Sequence, residues 1–333
     1  MKITVSKIVH AIAALAVMGT AASAQEFEIT MGSTGQTTTS MYRAAQEFEK
    51  AVEERSGGRV SVELAFGGVF GGDRENTELT QLGEIEMVWT SDIGLGTLFP
   101  ETGFSTLPFM FPDYEAVDEY YLAGFVGEAF AEALLKNGLR VVGWGENDYR
   151  ALTTSGVAVT EAEHLQGLKL RVPQFPSLLS FFQKLGASPT PMAFTEVFTA
   201  LQQGTIDGQD NGPIQTESQR FHEAQDHFTW TNHVYSAAPI VINDDFYQSL
   251  PEDIRQIVDE EGARVAALQV EWNRDDVAGA VERMEEQGIE VHQLSPSAIE
   301  RFRETAQEVW AEFAPQYDAA VMERIQTEFS VEQ

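Results

Sequence analysis

The stretch "GLKLRVP", residues 167–173, sets the reading of the chain. Leu168 and Leu170 alternate with Lys169 and Arg171, the period-two pattern of a strand. Pro173 ends it, because proline has no amide hydrogen to give the ladder. Arg171 therefore stands at a strand's carboxyl end. A guanidinium there offers a planar fork of donors that fits a carboxylate through two hydrogen bonds. The chain carries 52 acidic and 21 basic residues, so a lone arginine in that position needs a reason.

On both sides of this stretch the chain alternates strands and helices. "FEITMGS" (27–33), "RVSVELAF" (59–66) and "EMVWTS" (86–91) read as strands. Tyr42, Ala45, Phe48 and Val52 recur at helical spacing between the first two. "NTELTQLGEI" (76–85) reads as a short helix and residues 115–138 as one long helix. "LRVVGWG" (139–145) follows as a strand, and a second strand–helix series runs from "ALTTS" (151–155) to "HFTWTNH" (227–233). "SAAPIVIND" (236–244) is one more strand, residues 252–288 form a long helical run, and "IEVHQL" (289–294) is a brief strand. This order predicts an α/β chain with mixed sheets covered by helices. Ligands of such sheets sit in the crevice at the strands' carboxyl ends.

Composition narrows the function. The formal net charge of −31 argues against nucleic acid and anionic lipid as partners. There is no cysteine, so no disulfide framework is expected. Residues 1–24 read as a cleaved signal peptide: a basic start, the apolar "IVHAIAALAVM" and the closing Ala22-Ser23-Ala24. The alternative is an N-terminal membrane anchor. An exported chain, in a bacterial periplasm, is the expectation. "FHEAQDH" (221–227) resembles H-E-x-x-H, but His227 follows His222 by five residues. Five residues turn a helix by about 140°, so a structural or surface histidine pair is expected rather than a metal site. No G-x-S-x-G, G-x-G-x-x-G or G-K-[ST] motif nominates catalysis, and no cofactor is expected.

Two more polar groups fall at strand ends: Arg150 in "ENDYR" (146–150) and Asn211 in "DGQDNGP" (207–213). Two arginines and an amide make an anion site, unless each arginine merely pairs with a local acid. "GLKLRVP", residues 181–211 ("FFQKLGASPTPMAFTEVFTALQQGTIDGQDN") and "SLPEDIRQIV" (249–258) resemble the solute-binding proteins of TRAP transporters, the tripartite ATP-independent periplasmic, or DctP, family. The similarity extends to residues 32–60 and so covers essentially the whole chain after residue 24.

The resemblance implies a two-lobed periplasmic binding protein fold (type II-like), each lobe a mixed sheet flanked by helices, with a long lobe-spanning helix. The boundaries it suggests are 25–148 plus 237–276 for the first lobe and 149–236 plus 277–333 for the second. It implies a monomeric receptor, not an enzyme, that passes a small organic acid to sodium-driven permease subunits. Arg171 would grip the ligand carboxylate and Arg150 support it. Phe194 would pack on the ligand and Asn211 hydrogen-bond it, with Gln209 and Asp210 beside it. The first lobe would read the rest of the ligand through Thr37, Thr38, Asp73, Arg74, Trp89, Ser91 and Asp92. Ser91 stands where sialic-acid-type members carry an acid. Trp89, Glu146 and Asn147 suit a uronate or aldonate. A C4-dicarboxylate or 2-keto acid would call on Arg74 as a second cation. A module feeding a sensor, or an enzyme on the same acid, are the other readings.

Overall fold

The computed structural model describes residues 25–329. The expected leader, residues 1–24, lies outside them. In chain order the strands are β1 (Phe27–Gly32), β2 (Val60–Ala65), β3 (Met87–Trp89), β4 (Leu139–Tyr149), β5 (Ala151–Thr154) and β6 (Lys169–Val172). They continue with β7 (Ser188–Pro191), β8 (Gly208–Asn211), β9 (His227–Trp230), β10 (Tyr235–Asn243) and β11 (Glu290–Gln293). One sheet has the order β2-β1-β3-β10-β4 and the other β11-β9-β5-β8-β6-β7. Both are mixed: β1 is parallel to β2 and β3, whereas β10 is antiparallel to β3 and β4. In the second sheet β6 is parallel to β7 and β8, and β5 is antiparallel to β8 and β9. The expected α/β architecture with two helix-flanked sheets is therefore present.

Local chemistry explains the elements. Helix Ser40–Arg55 starts at the N-cap Thr39, whose side chain accepts from the Tyr42 amide. Its Met41, Ala44, Ala45, Phe48 and Val52 are buried, one face at helical spacing against Ile29 and Met31 of β1. All nine residues of β10 are buried, so it reads as a continuous apolar run rather than an alternation.

The single helix expected over 115–138 is broken. Tyr114–Val117 is α-helical, Asp118–Leu122 widens into a π turn, and a new helix runs Phe125–Leu135. Gly124 permits the break, since a Cβ there would lie 2.2 Å from the Glu119 carbonyl oxygen. The strand expected over 139–145 is longer and takes in "ENDY". Its register slips opposite Ser236/Ala237, and Asp148 adopts φ 98°.

The chain passes between the sheets at β4–β5 and again at β9–β10. These passages are tied by the Arg150 amide donating to the Val234 carbonyl at 2.8 Å. The helix Glu252–Glu286, 35 residues and about 52 Å long, runs along both halves. At one end it lies on β4, where Gly143 and Gly262 let the two backbones touch: a Cβ on Gly143 would sit 2.4 Å from the Gly262 carbonyl oxygen. At the other end Arg283 pairs with Glu217 of helix Pro213–Ser218 at 2.8 Å.

The C-terminal segment, expected wholly with the second half, reaches back. Phe302 of helix Pro296–Phe313 packs on Phe181 of helix Pro176–Lys184. Phe329, just past helix Ala319–Glu328, packs on Phe111, Tyr120 and Phe125 beside the first sheet. No described helix is long and apolar enough to cross a membrane.

Filling the helix–strand contact should be costly. Gly143→Ala is expected to lower unfolding stability by about 1–3 kcal/mol, the range for overpacking. Urea denaturation measures it; an unchanged midpoint would show that the contact can relax.

Candidate ligand-binding site

A cavity of about 340 Å³ lies between the sheets. Its wall takes residues from just past β1 (Ser33, Thr34), just past β3 (Thr90, Ser91), from β6 and the residues after it (Arg171, Pro173) and from the end of β8 (Asn211). These are the carboxyl ends of parallel strands, where the sequence placed it.

Arg171 is buried, and its Nε and Nη2 both donate to the Met192 carbonyl, at 3.1 and 2.9 Å. Its Nη1 is buried without a hydrogen-bond partner. The Phe194 ring centroid is 6.0 Å from the guanidinium carbon. Burial pushes the guanidinium down to about 10, against the pull of Asp210, so it stays charged at neutral pH.

Arg150 behaves differently. Its Nε donates to Asp210 Oδ2 at 2.9 Å, and Nη2 donates to the Asp210 carbonyl and, at 3.3 Å, to Asn211 Oδ1. Burial alone would raise the Asp210 carboxyl, yet Arg150 and His233 hold it below its ordinary value. Arg150 lines the cavity with its charge already matched.

Asn211 donates from Nδ2 to Gln209 Oε1 at 2.6 Å, and Gln209 is anchored on Thr153 and Thr216. Gln209 does not line the cavity. It stands behind Asn211 and fixes which way that amide faces.

On the opposite wall, Asp73 accepts from Thr34 Oγ1 at 2.6 Å and from Ser91 Oγ at 3.4 Å, and burial raises its carboxyl above the ordinary value. Ser91 also accepts from the Gly94 amide. Trp89 contributes its ring, because its indole N–H already donates to the Ala238 carbonyl at 2.8 Å. Arg74 reaches the rim but is exposed and paired with Glu78 at 2.9 Å. Asn147 lines the wall and accepts from Gln215 Nε2 at 3.1 Å.

Several expected residues lie elsewhere. Asp92 is buried in the fold, accepting from Tyr121, Ser236 and the Ala237 amide. Glu146 is buried against Arg274 at 2.8 Å, with Tyr235 donating to it. Glu146 lies on β4 and Asp92 opens the short helix Asp92–Gly96; neither lines the cavity. Thr37 and Thr38 line a separate groove beside Trp272, because the loop after β1 has turned into its helix by then. Ser33 and Thr34 take their place on the wall. The sequence reasoning missed these two, along with Thr90, Gln215 and Met192. The end of β1 at Gly32 was the available signal.

The two walls also meet directly. Gln36 Nε2 donates to Gln219 Oε1 at 3.1 Å, and Gln219 Nε2 donates to the Thr34 carbonyl at 3.3 Å.

The model of bacterial extracellular solute-binding protein family 7, DctP, matches residues 31–316. The chain belongs to this family. A solute-binding protein of Verminephrobacter eiseniae is 34% identical over 287 residues, 85% of this chain and 84% of the relative. The crystal structure of a TRAP periplasmic solute-binding protein from a Polaromonas species bound to D-erythronate is 30% identical, with TM-score 0.85 over 90% of this chain and 98% of that one. A TRAP periplasmic solute-binding protein from Shewanella oneidensis with bound succinate is 27% identical, with TM-score 0.85 over 90% of this chain and 98% of that one. The family and these neighbours are solute-binding proteins, not enzymes, and this chain is a solute-binding protein of the DctP family.

The acids packed away from the cavity make stability depend on pH. Burial lifts Asp92 to about 6; burial, then Glu146, lift Asp148 to about 7. An acid whose folded pKa is raised binds its proton more tightly when folded. Its contribution is present below about pH 4 and is lost as pH rises through 6 and 7. For Asp148 the loss between pH 5 and 8 is about 2–3 kcal/mol. Urea midpoints should fall over that window, and Asp148→Asn should flatten the fall. An equally steep fall in that variant would count against Asp148 as the source.

Proposed function

We propose that this chain is the exported receptor of a TRAP transporter for a small hydroxylated monocarboxylate, an aldonate or uronate. One observation carries the reading: the buried Nη1 of Arg171 has no hydrogen-bond partner among the described residues. A ligand carboxylate would accept from it, with Asn211 as second donor and Phe194 packing on the carbon chain. The far wall offers Thr34, Asp73, Thr90 and Ser91, groups that exchange hydrogen bonds with hydroxyls. Asp73 supplies no positive charge there for a second carboxylate. Arg74, the cation a dicarboxylate would need, is committed to Glu78. The erythronate held by the Polaromonas protein supports the same class.

In this reading, residues 25–148 plus 237–276 form one moving lobe and 149–236 plus 277–333 the other, with the C-terminal segment crossing between them. Ligand capture favours the closed form, which the permease subunits then meet. The leader over residues 1–24 would direct export, and the receptor would act as a monomer. Anionic charge over the whole surface repels an acid at long range, so affinity rests on the local fork.

The test is thermal shift of the ligand-stripped protein with D-erythronate, galactonate, galacturonate and succinate. A sugar acid should raise the melting temperature most and succinate least; the reverse order would favour the dicarboxylate reading.

Two variants test the site in solution. Arg171→Lys keeps the charge but loses the fork, and should weaken binding about 100-fold, about 2.7 kcal/mol, with the fold intact. Wild-type affinity in that variant would falsify the assigned role. Arg150→Ala should weaken binding less but destabilise the fold by about 3–5 kcal/mol, because it strands Asp210 as a buried charge.

A further inference from the structure

The His222–His227 pair suggested by the sequence does not form. His222 is buried, with Nε2 3.0 Å from Gln287 Oε1. His227 meets a histidine 65 residues away instead. Strands β9 and β11 run parallel, with His227 opposite Glu290 and Thr229 opposite His292. Residues two apart on a strand share a face. His227, Glu290 and His292 therefore rise from one face at the edge of the second sheet, where β11 pairs with β9 alone.

Their donor atoms converge. His227 Nδ1 is 3.1 Å from His292 Nε2, and Glu290 Oε2 is 3.6 and 3.8 Å from those nitrogens. A triangle with sides 3.1, 3.6 and 3.8 Å has a circumscribed circle of radius about 2.0 Å (side product over four times the area). That radius is the zinc–imidazole and zinc–carboxylate bond length. One point thus lies at bonding distance from all three donors with no side chain moved. Glu290 lies beyond hydrogen-bond range of both nitrogens but within ion-pair distance of each.

We propose that this sheet edge is a binding site for Zn²⁺ or a chemically similar divalent transition metal. Two imidazoles and one carboxylate form the ligand set, and a fourth position faces solvent beside the exposed Glu290. The net charge of −31 raises the local concentration of divalent cations. The ion would clamp β11, the strand that follows the long helix, onto β9. None of the three residues lines the ligand cavity, so the proposal stands apart from the carboxylate reading.

The test uses untagged full chain, freed of metal by chelation and titrated with ZnCl₂ in a calorimeter. One equivalent should bind, and Co²⁺ should give the visible absorption of a tetrahedral site. At about 100 times the dissociation constant of zinc, the melting temperature should rise by about 5 °C. His227→Asn and His292→Gln should each weaken binding about 100-fold and Glu290→Gln about 10-fold. His164→Ala, in the 3-10 turn Ala162–Leu165 and outside the cluster, should leave binding unchanged. Metal-free variants should melt within about 2 °C of the parent, since the three side chains lie at a partly exposed edge. Absence of stoichiometric binding, or binding that survives both histidine substitutions or follows His164, overturns the proposal.

Discussion

Two guanidinium groups are buried in this molecule within the field of one fully buried carboxylate. Asp210 matches Arg150 through a 2.9 Å ion pair and leaves Arg171 with a carbonyl oxygen on one side and an unpartnered nitrogen on the other. A desolvated charge left so is expensive, several kcal/mol after relaxation. The fold holds it there because β6, which carries it, is paired on both sides, with β7 and β8, and Met192 caps the head group. The cavity, the hydroxyl-rich wall opposite and the amide of Asn211 surround that nitrogen's side of the guanidinium.

Much of this was legible in residues 167–211. A strand closed by proline fixes where Arg171 points, and "DGQDN" fixes Asn211 in the same way. Arg150 pairs with an acid, Asp210, whereas Arg171 makes no ion pair among the described residues. Sequence separation cannot tell the two apart: Asp210 lies 60 residues from Arg150, and only the β5–β8 pairing brings it near. Asp92 and Glu146 misled because an acid near a strand end has the look of a ligand group. Their buried partners, Tyr121, Ser236 and Arg274, are set by tertiary packing alone. The long-helix reading of residues 115–138 failed for a similar reason, since the backbone contact at Gly124 leaves no periodicity signal. The His227–His292 contact was out of reach for the same cause: its halves lie 65 residues apart and meet only through the β9–β11 pairing.

Acidity and recognition act at different ranges. The surface charge sets a long-range field that salt screens within about 8 Å at physiological strength. Arg171 itself is buried, where screening is weak. Added salt therefore acts mainly on the long-range repulsion, leaving the short-range fork in place.

The chain crosses from one half to the other at four places: β4–β5, β9–β10, the helix Glu252–Glu286, and the segment that ends with Phe329 against Phe125. Mechanically, this is a linkage with four bars. Two flexible straps would leave the halves free to bend, slide and twist. Four spaced attachments, one of them a stiff rod, suppress sliding and twisting and leave bending as the soft degree of freedom. Bending of that kind keeps Arg171 and the hydroxyl wall facing each other in the same alignment.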